Sequence, residues 1–98
     1  MYVVVHHRFT DPAVAFVRGE TLIRNEGAPP GVHGLQFYPS VDGSVATCLW
    51  EAESVESIQR YVDTTLGDAS ENRCYEVATD QAFARQPLGL RETAPLPA

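Results

Sequence analysis

Two adjacent histidines, His6 and His7, end the apolar run that opens the chain at Met1. The run is rich in valine and is typical of a β-strand, in which successive side chains point to opposite faces of the sheet. One imidazole should therefore face a covering layer of helices, and the other should face the opposite side, which is open to a ligand or a partner. The third histidine, His33, begins another strand-like run after a proline-rich loop. Chemistry at these positions depends on whether the imidazoles meet.

The imidazoles have three interpretations that the residues leave open. Neutral imidazole binds nickel, copper, zinc and iron, and it also serves as a general acid or base. Adjacent histidines on a regular strand cannot hold one ion because their rings diverge, so a metal site needs a β-bulge, one ring only, or a second chain. His33 is a candidate third ligand. In the third interpretation, one of His6 and His7 is hydrogen-bonded and half-buried while the other is solvated.

Carboxylates and aromatic residues in other strand-like runs extend the candidate site. Glu51 and Glu76 could orient a ligating imidazole, or they could simply lie on the wet face of the sheet. Asp11 is better explained as a helix cap than as a ligand. Five aromatic residues either line an apolar pocket or belong to the core, and they are Tyr2, Phe37, Tyr38, Trp50 and Tyr75.

The composition excludes several function classes. The 98 residues carry a formal net charge of −6, and all seven basic residues are arginines. This balance argues against nucleic acid and anionic membranes as partners, because both require clustered basic residues. No apolar run approaches the roughly 20 residues of a membrane span, and the start lacks a signal-type segment, so we expect a cytoplasmic protein. Patterns of nucleotide-binding loops, serine hydrolases, HExxH metalloproteases and EF-hands are absent.

The two cysteines, Cys48 and Cys74, are too widely spaced for a CxxC redox or zinc motif. We expect two buried, reduced thiols, because free cysteine is among the most buried residue types. A disulfide between neighbouring strands and a thiol ligand for a metal are the alternatives.

The first half of the chain predicts a strand, a helix and a hairpin. Residues 2–9 predict a first, central strand, and Thr10-Asp11-Pro12 predicts the start of a helix. Residues 25–31 form a glycine- and proline-rich loop. Residues 32–39 and 44–52 predict a β-hairpin around Asp42-Gly43, a pair that favours a tight turn.

The second half predicts one helix and one strand. Ser54 caps a helix with an apolar stripe, and Gly67 ends it; residues 73–79 predict the last strand. The order β-α-β-β-α-β predicts a four-stranded antiparallel sheet with two helices on one face. Residues 1–84 are then one domain, and residues 85–98 are a proline-rich tail that is extended, disordered or an arm against a neighbour.

Four segments resemble a family of small proteins long classed as a domain of unknown function, with nickel-binding members. The resemblance covers roughly residues 2 to 79, and the strand-to-helix segment from Cys48 to Arg60 is its most specific part. The segments are Val5-His6-His7, Gly31-Val32-His33, Cys48-Leu49-Trp50-Glu51-Ala52-Glu53-Ser54 with the residues up to Arg60, and Tyr75-Glu76-Val77.

The resemblance implies a ferredoxin-like fold that dimerises into an α+β barrel. It also implies nickel, or another divalent transition metal, held by His6, His7 and His33, with Glu51 as a supporting group. We therefore expect a homodimeric metal-binding protein, with Trp50, Cys48 and Tyr75 as candidate pocket or supporting residues. The alternative is a small cofactor-independent enzyme of the monooxygenase, isomerase or cyclase type, which would act on an apolar metabolite with a histidine as general base. A third alternative is an interaction module that only dimerises.

Overall fold

Four strands and two helices follow one another in the predicted order β-α-β-β-α-β. The computed structural model describes residues 1–85, so the predicted tail lies outside the described residues except at its start. The elements are β1 (Tyr2–Phe9), α1 (Pro12–Ile23), β2 (His33–Pro39), β3 (Val45–Glu51), α2 (Val55–Leu66), a 3-10 turn (Gly67–Ala69) and β4 (Ser70–Glu76). This order confirms the predicted α+β, ferredoxin-like fold. Within residues 1–85, every helix is too short or too polar to cross a membrane.

The sheet is antiparallel, with the strand order β2-β3-β1-β4. β1 is central, as its valine-rich sequence predicts, and it pairs with β3 on one side and β4 on the other. Val3 and Val5 of β1 are fully buried on the side that the helices cover. They form one core with residues from both helices, among them Leu22, Ile58 and Val62.

Both helices begin at the predicted caps. The Asp11 carboxylate accepts a hydrogen bond from the backbone N–H of Val14 at 3.3 Å, and Pro12 occupies the first turn. The Ser54 hydroxyl accepts one from the N–H of Ser57 at 3.1 Å. Each cap satisfies an N–H group that the first helical turn leaves without a partner.

β4 begins three residues earlier than the sequence predicts. A short 3-10 turn follows α2 directly, and the carbonyl of Ala69 accepts hydrogen bonds from the N–H groups of Thr10 and Asp11. Ser70 is therefore already opposite Phe9 in the sheet. Pairing with β1 sets this boundary, and no local sequence pattern predicts that pairing.

The helices cover one face of the sheet and leave the other uncovered. We call the second side the open face. Val4 and His6 of β1 point to it, while Val3 and Val5 point to the core. The edge strand β2 is exposed along its whole length.

Candidate functional site

His6 and His7 lie on opposite sides of the sheet, as strand alternation predicts. His6 is exposed on the open face, whereas His7 is only 3% exposed beneath the helices. The two rings therefore belong to two different environments.

His7 is the centre of a chain of hydrogen bonds that runs from the core to the surface. Its Nδ1 lies 2.7 Å from Oδ1 of Asn72 on β4, and its Nε2 lies 3.0 Å from Sγ of Cys48 on β3. Asn72 is held in turn, because its Oδ1 accepts from the Ser70 hydroxyl at 2.6 Å and its Nδ2 donates to Asp63 of α2 at 2.9 Å. The imidazole of His7 thus connects three neighbouring strands, the central strands β3 and β1 and the edge strand β4.

The amide of Asn72 fixes the tautomer of His7. Because its Nδ2 donates to a carboxylate, its Oδ1 faces the ring, and an oxygen acceptor requires a proton on Nδ1. In a neutral imidazole Nε2 is then the acceptor, so the Cys48 thiol donates to it. The order thiol, imidazole, amide is that of the nucleophile, base and orienting group in some cysteine hydrolases.

Burial makes this arrangement structural rather than catalytic. Desolvation lowers the pKa of His7, although the hydrogen bond to Asn72 opposes the shift. Desolvation also raises the pKa of the Cys48 thiol to about 12. The thiol is therefore protonated at neutral pH, and with 6% exposure it offers no approach to a substrate.

The two cysteines are free, as predicted, but only Cys48 is fully buried. Both lie beside Val5, Cys48 on β3 and Cys74 on β4. Strands on either side of a central strand are about 10 Å apart, and a disulfide requires Cα atoms within about 7 Å. This geometry excludes the alternative of a disulfide between neighbouring strands.

His6 lies in the middle of the open face. Its Nδ1 is 3.1 Å from the Thr47 hydroxyl on β3, and its ring centroid is 5.8 Å from that of Tyr75 on β4. Its Nε2 makes no hydrogen bond with residues 1–85. This nitrogen is available to a ligand or to a second chain.

One chain does not assemble the predicted three-histidine metal site. His7 lies on the helical side of the sheet, where both of its ring nitrogens are hydrogen-bonded. His33 shares the open face with His6, but the two lie opposite different residues of β3. His6 is opposite Thr47, whereas His33 is opposite Glu51, four residues further along the strand. Strand spacings put His33 about 16 Å from His6. Among residues 1–85 no group of three or more histidine, cysteine or acidic side chains could hold an ion, so the implied nickel does not fit one chain.

The remaining predicted site residues divide between the two faces. Trp50 and Cys48 lie in the core, with the Trp50 ring edge-on to Tyr61 at 5.9 Å, so they do not line the open face. Tyr75 is on the open face and is 47% exposed. Glu51 is exposed at the end of β3, opposite both Tyr2 and His33.

Two rows of side chains cross the open face. The first row runs Tyr38, Thr47, His6, Arg73 across all four strands, and its members carry hydroxyl, hydroxyl, imidazole and guanidinium groups. We call it the polar row. The second runs Gln36, Leu49, Val4, Tyr75 and is mainly apolar, and we call it the apolar row. Thr47, Arg73 and Asn72 were not predicted as site residues, because only the strand register shows what they face.

A separate groove lies on the helical side, between the end of α1 and the middle of α2. It has a volume of about 480 Å³, and Thr21, Pro29, Arg60 and Tyr61 contribute to its walls. None of the three histidines lines it. It is therefore not the pocket that the histidines predict.

Comparison of the chain with family models, curated proteins and solved structures gives no match. The resemblance to the nickel-binding family stays a prediction.

Proposed function

We propose that the protein is a homodimer whose two open faces meet and enclose a chamber for a small, largely apolar molecule. One observation carries the proposal. The open face bears aliphatic and aromatic side chains where a solvated sheet face normally bears polar ones. Four of these side chains are 40 to 47% exposed, and they are Tyr2, Tyr38, Val45 and Tyr75.

A second copy of the chain fits this face better than an unrelated partner. The chain as a whole is acidic, with a net charge of −6. The open face instead carries two arginines, Arg8 and Arg73, and two carboxylates, Glu51 and Glu71. A face with balanced charge can meet its own copy about a twofold axis without net repulsion. Covering it also supplements the limited core of so small a domain.

The polar row indicates a chamber rather than a dry interface. His6, Thr47 and Arg73 lie in the middle of the face, and covering them with apolar surface would leave buried polar groups without partners. A bound molecule or water between the sheets satisfies them. The neighbouring apolar row supplies contact area for the body of such a molecule.

Analytical ultracentrifugation tests the dimer with a matched pair of variants. Leu49→Arg places a charge in the middle of the apolar row, and Val17→Arg places the same charge on α1, where Val17 is 74% exposed on the helical side. We expect the wild-type protein and Val17→Arg to sediment as dimers and Leu49→Arg as a folded monomer. A monomeric wild-type protein, or a dimeric Leu49→Arg, contradicts the proposal.

The nickel binding that the family resemblance implies is a separate prediction and needs imidazoles from two copies. His6 is the histidine to test, because its Nε2 is unengaged within residues 1–85 and it is central on the open face. Calorimetry of tag-free protein with nickel chloride should give heat that His6→Ala abolishes. Absence of heat from the wild-type protein contradicts this prediction and leaves the apolar chamber unaffected.

A further inference from the structure

We propose that the chamber selects molecules that carry one negative charge, such as a carboxylate, on an apolar or aromatic body. The inference rests on the proposed function, since it assigns the ligand class of the same chamber. It comes from the charge and hydrogen-bonding capacity of the polar row.

Arg73 is the group of the open face that can bind an anion. The other arginine of the open face, Arg8, is already neutralised, because its Nε and Nη2 donate to Glu71 at 3.0 and 2.7 Å. Arg73 forms no ion pair with any residue of 1–85. A guanidinium is a planar cation that matches the two oxygens of a carboxylate. Once a second copy covers the face, this charge needs an anionic partner.

The neighbours of Arg73 can share the binding of a carboxylate. His6 is directly opposite it, and Thr47 is directly opposite His6 on the next strand. Directly opposed side chains in an antiparallel sheet begin about 5 Å apart. The two oxygens of a carboxylate can therefore accept from the guanidinium and from the imidazole or the hydroxyl.

The apolar row fixes the other end of the ligand. Leu49 and Tyr75 are both directly opposite Val4, so the three side chains form a continuous strip parallel to the polar row. The Tyr75 ring also lies 5.8 Å from the His6 ring. An aromatic body with its acid group on His6 and Arg73 would stack over this strip.

The ligand class is tested with three probes of one shape and different charge. The probes are 2-naphthoate, its neutral analogue 2-naphthamide, and the cation 2-naphthylmethylammonium, each titrated into ¹⁵N-labelled full-length protein and followed by chemical-shift changes. We expect 2-naphthoate to bind about tenfold more tightly than 2-naphthamide, because charge-assisted hydrogen bonds are roughly twice as strong as neutral ones, and the cation to bind most weakly. The largest shifts should fall on β1 and β4 around His6 and Arg73.

Two variants isolate the guanidinium. Arg73→Gln should abolish the preference for 2-naphthoate while the protein stays dimeric. Arg60→Gln should retain the preference, because Arg60 lines the groove on the helical side, away from the open face. Equal binding of the acid and the amide overturns the ligand class and leaves the apolar chamber standing. A preference that survives in Arg73→Gln also overturns it. Failure of all three probes to bind a confirmed dimer overturns both the ligand class and the chamber.

Discussion

Acidification should destabilise this protein through His7. The ring is buried and neutral, and burial holds its pKa below the usual 6.5. The unfolded chain therefore takes up a proton at pH values where the folded protein does not. The stability contribution of His7 is complete above about pH 6.5 and is lost as the pH falls from there through the lower pKa of the folded state.

The expected size of the effect follows from the ordinary histidine pKa. If His7 stays neutral in the folded protein, the free energy of unfolding should fall by about 1.4 kcal/mol between pH 7.5 and 5.5, because the unfolded imidazole is about tenfold more protonated than neutral at the lower pH. The loss cannot exceed about 1.4 kcal/mol per pH unit for one proton. Protonation also removes the acceptor that the Cys48 thiol uses at Nε2, so the folded state has no way to retain that hydrogen bond.

Urea unfolding of metal-free protein at several pH values measures this loss. His7→Gln is the control, since the two proteins differ only in the His7 side chain. We expect the wild-type protein to lose about 1.4 kcal/mol more than the variant over this range. Equal pH dependence of the two proteins refutes the reasoning. So does an NMR titration in which the His7 ring of the folded protein takes up its proton at pH 6.5 or above.

Two further predictions concern the thiols and the hairpin. Iodoacetamide at pH 8 should label Cys74 before Cys48, because Cys74 is only half-buried whereas Cys48 is buried. Burial raises the pKa of both thiols, to about 11 for Cys74 and about 12 for Cys48, so both should label slowly in the folded protein and rapidly in denaturant. Peptide mass spectrometry measures the two rates, and equal rates in the folded protein would contradict the buried thiol. Gly43→Ala should destabilise the protein by about 1 kcal/mol or more, because φ is +75° and the new Cβ would lie 3.2 Å from the Phe16 ring. Gly27→Ala has a similar φ of +68° and open space around it, so in urea unfolding it should show the backbone cost alone; an equal loss in both variants would rule out the Phe16 contact.

Short-range patterns predicted most of the fold. The cap at Asp11, the proline after it, the cap at Ser54 and the Asp42-Gly43 turn all act over three or four residues, so the sequence shows them directly. The start of β4 was predicted three residues too late, because pairing with a strand about 60 residues away decides it.

The candidate site was harder to predict than the fold. Alternation along β1 was enough to separate His6 from His7, and the structure confirms that separation. Which imidazole faces the core depends on the side of the sheet that the helices cover, and the groups that it contacts there belong to β3 and β4. Asn72 has no local pattern that marks it as the partner of His7, since 65 residues separate them in the chain.

By itself, the sequence determined the order of the elements, the central place of β1 and the divergence of the two adjacent imidazoles, because each follows from local geometry and side-chain period. Only the tertiary structure decided that His7 is tied to Cys48 and Asn72 in the core, that His33 is far from His6, and that Arg73 lies beside His6 on the open face. Those relations depend on strand order and register. Both are set by long-range packing and hydrogen bonds between segments far apart in the chain.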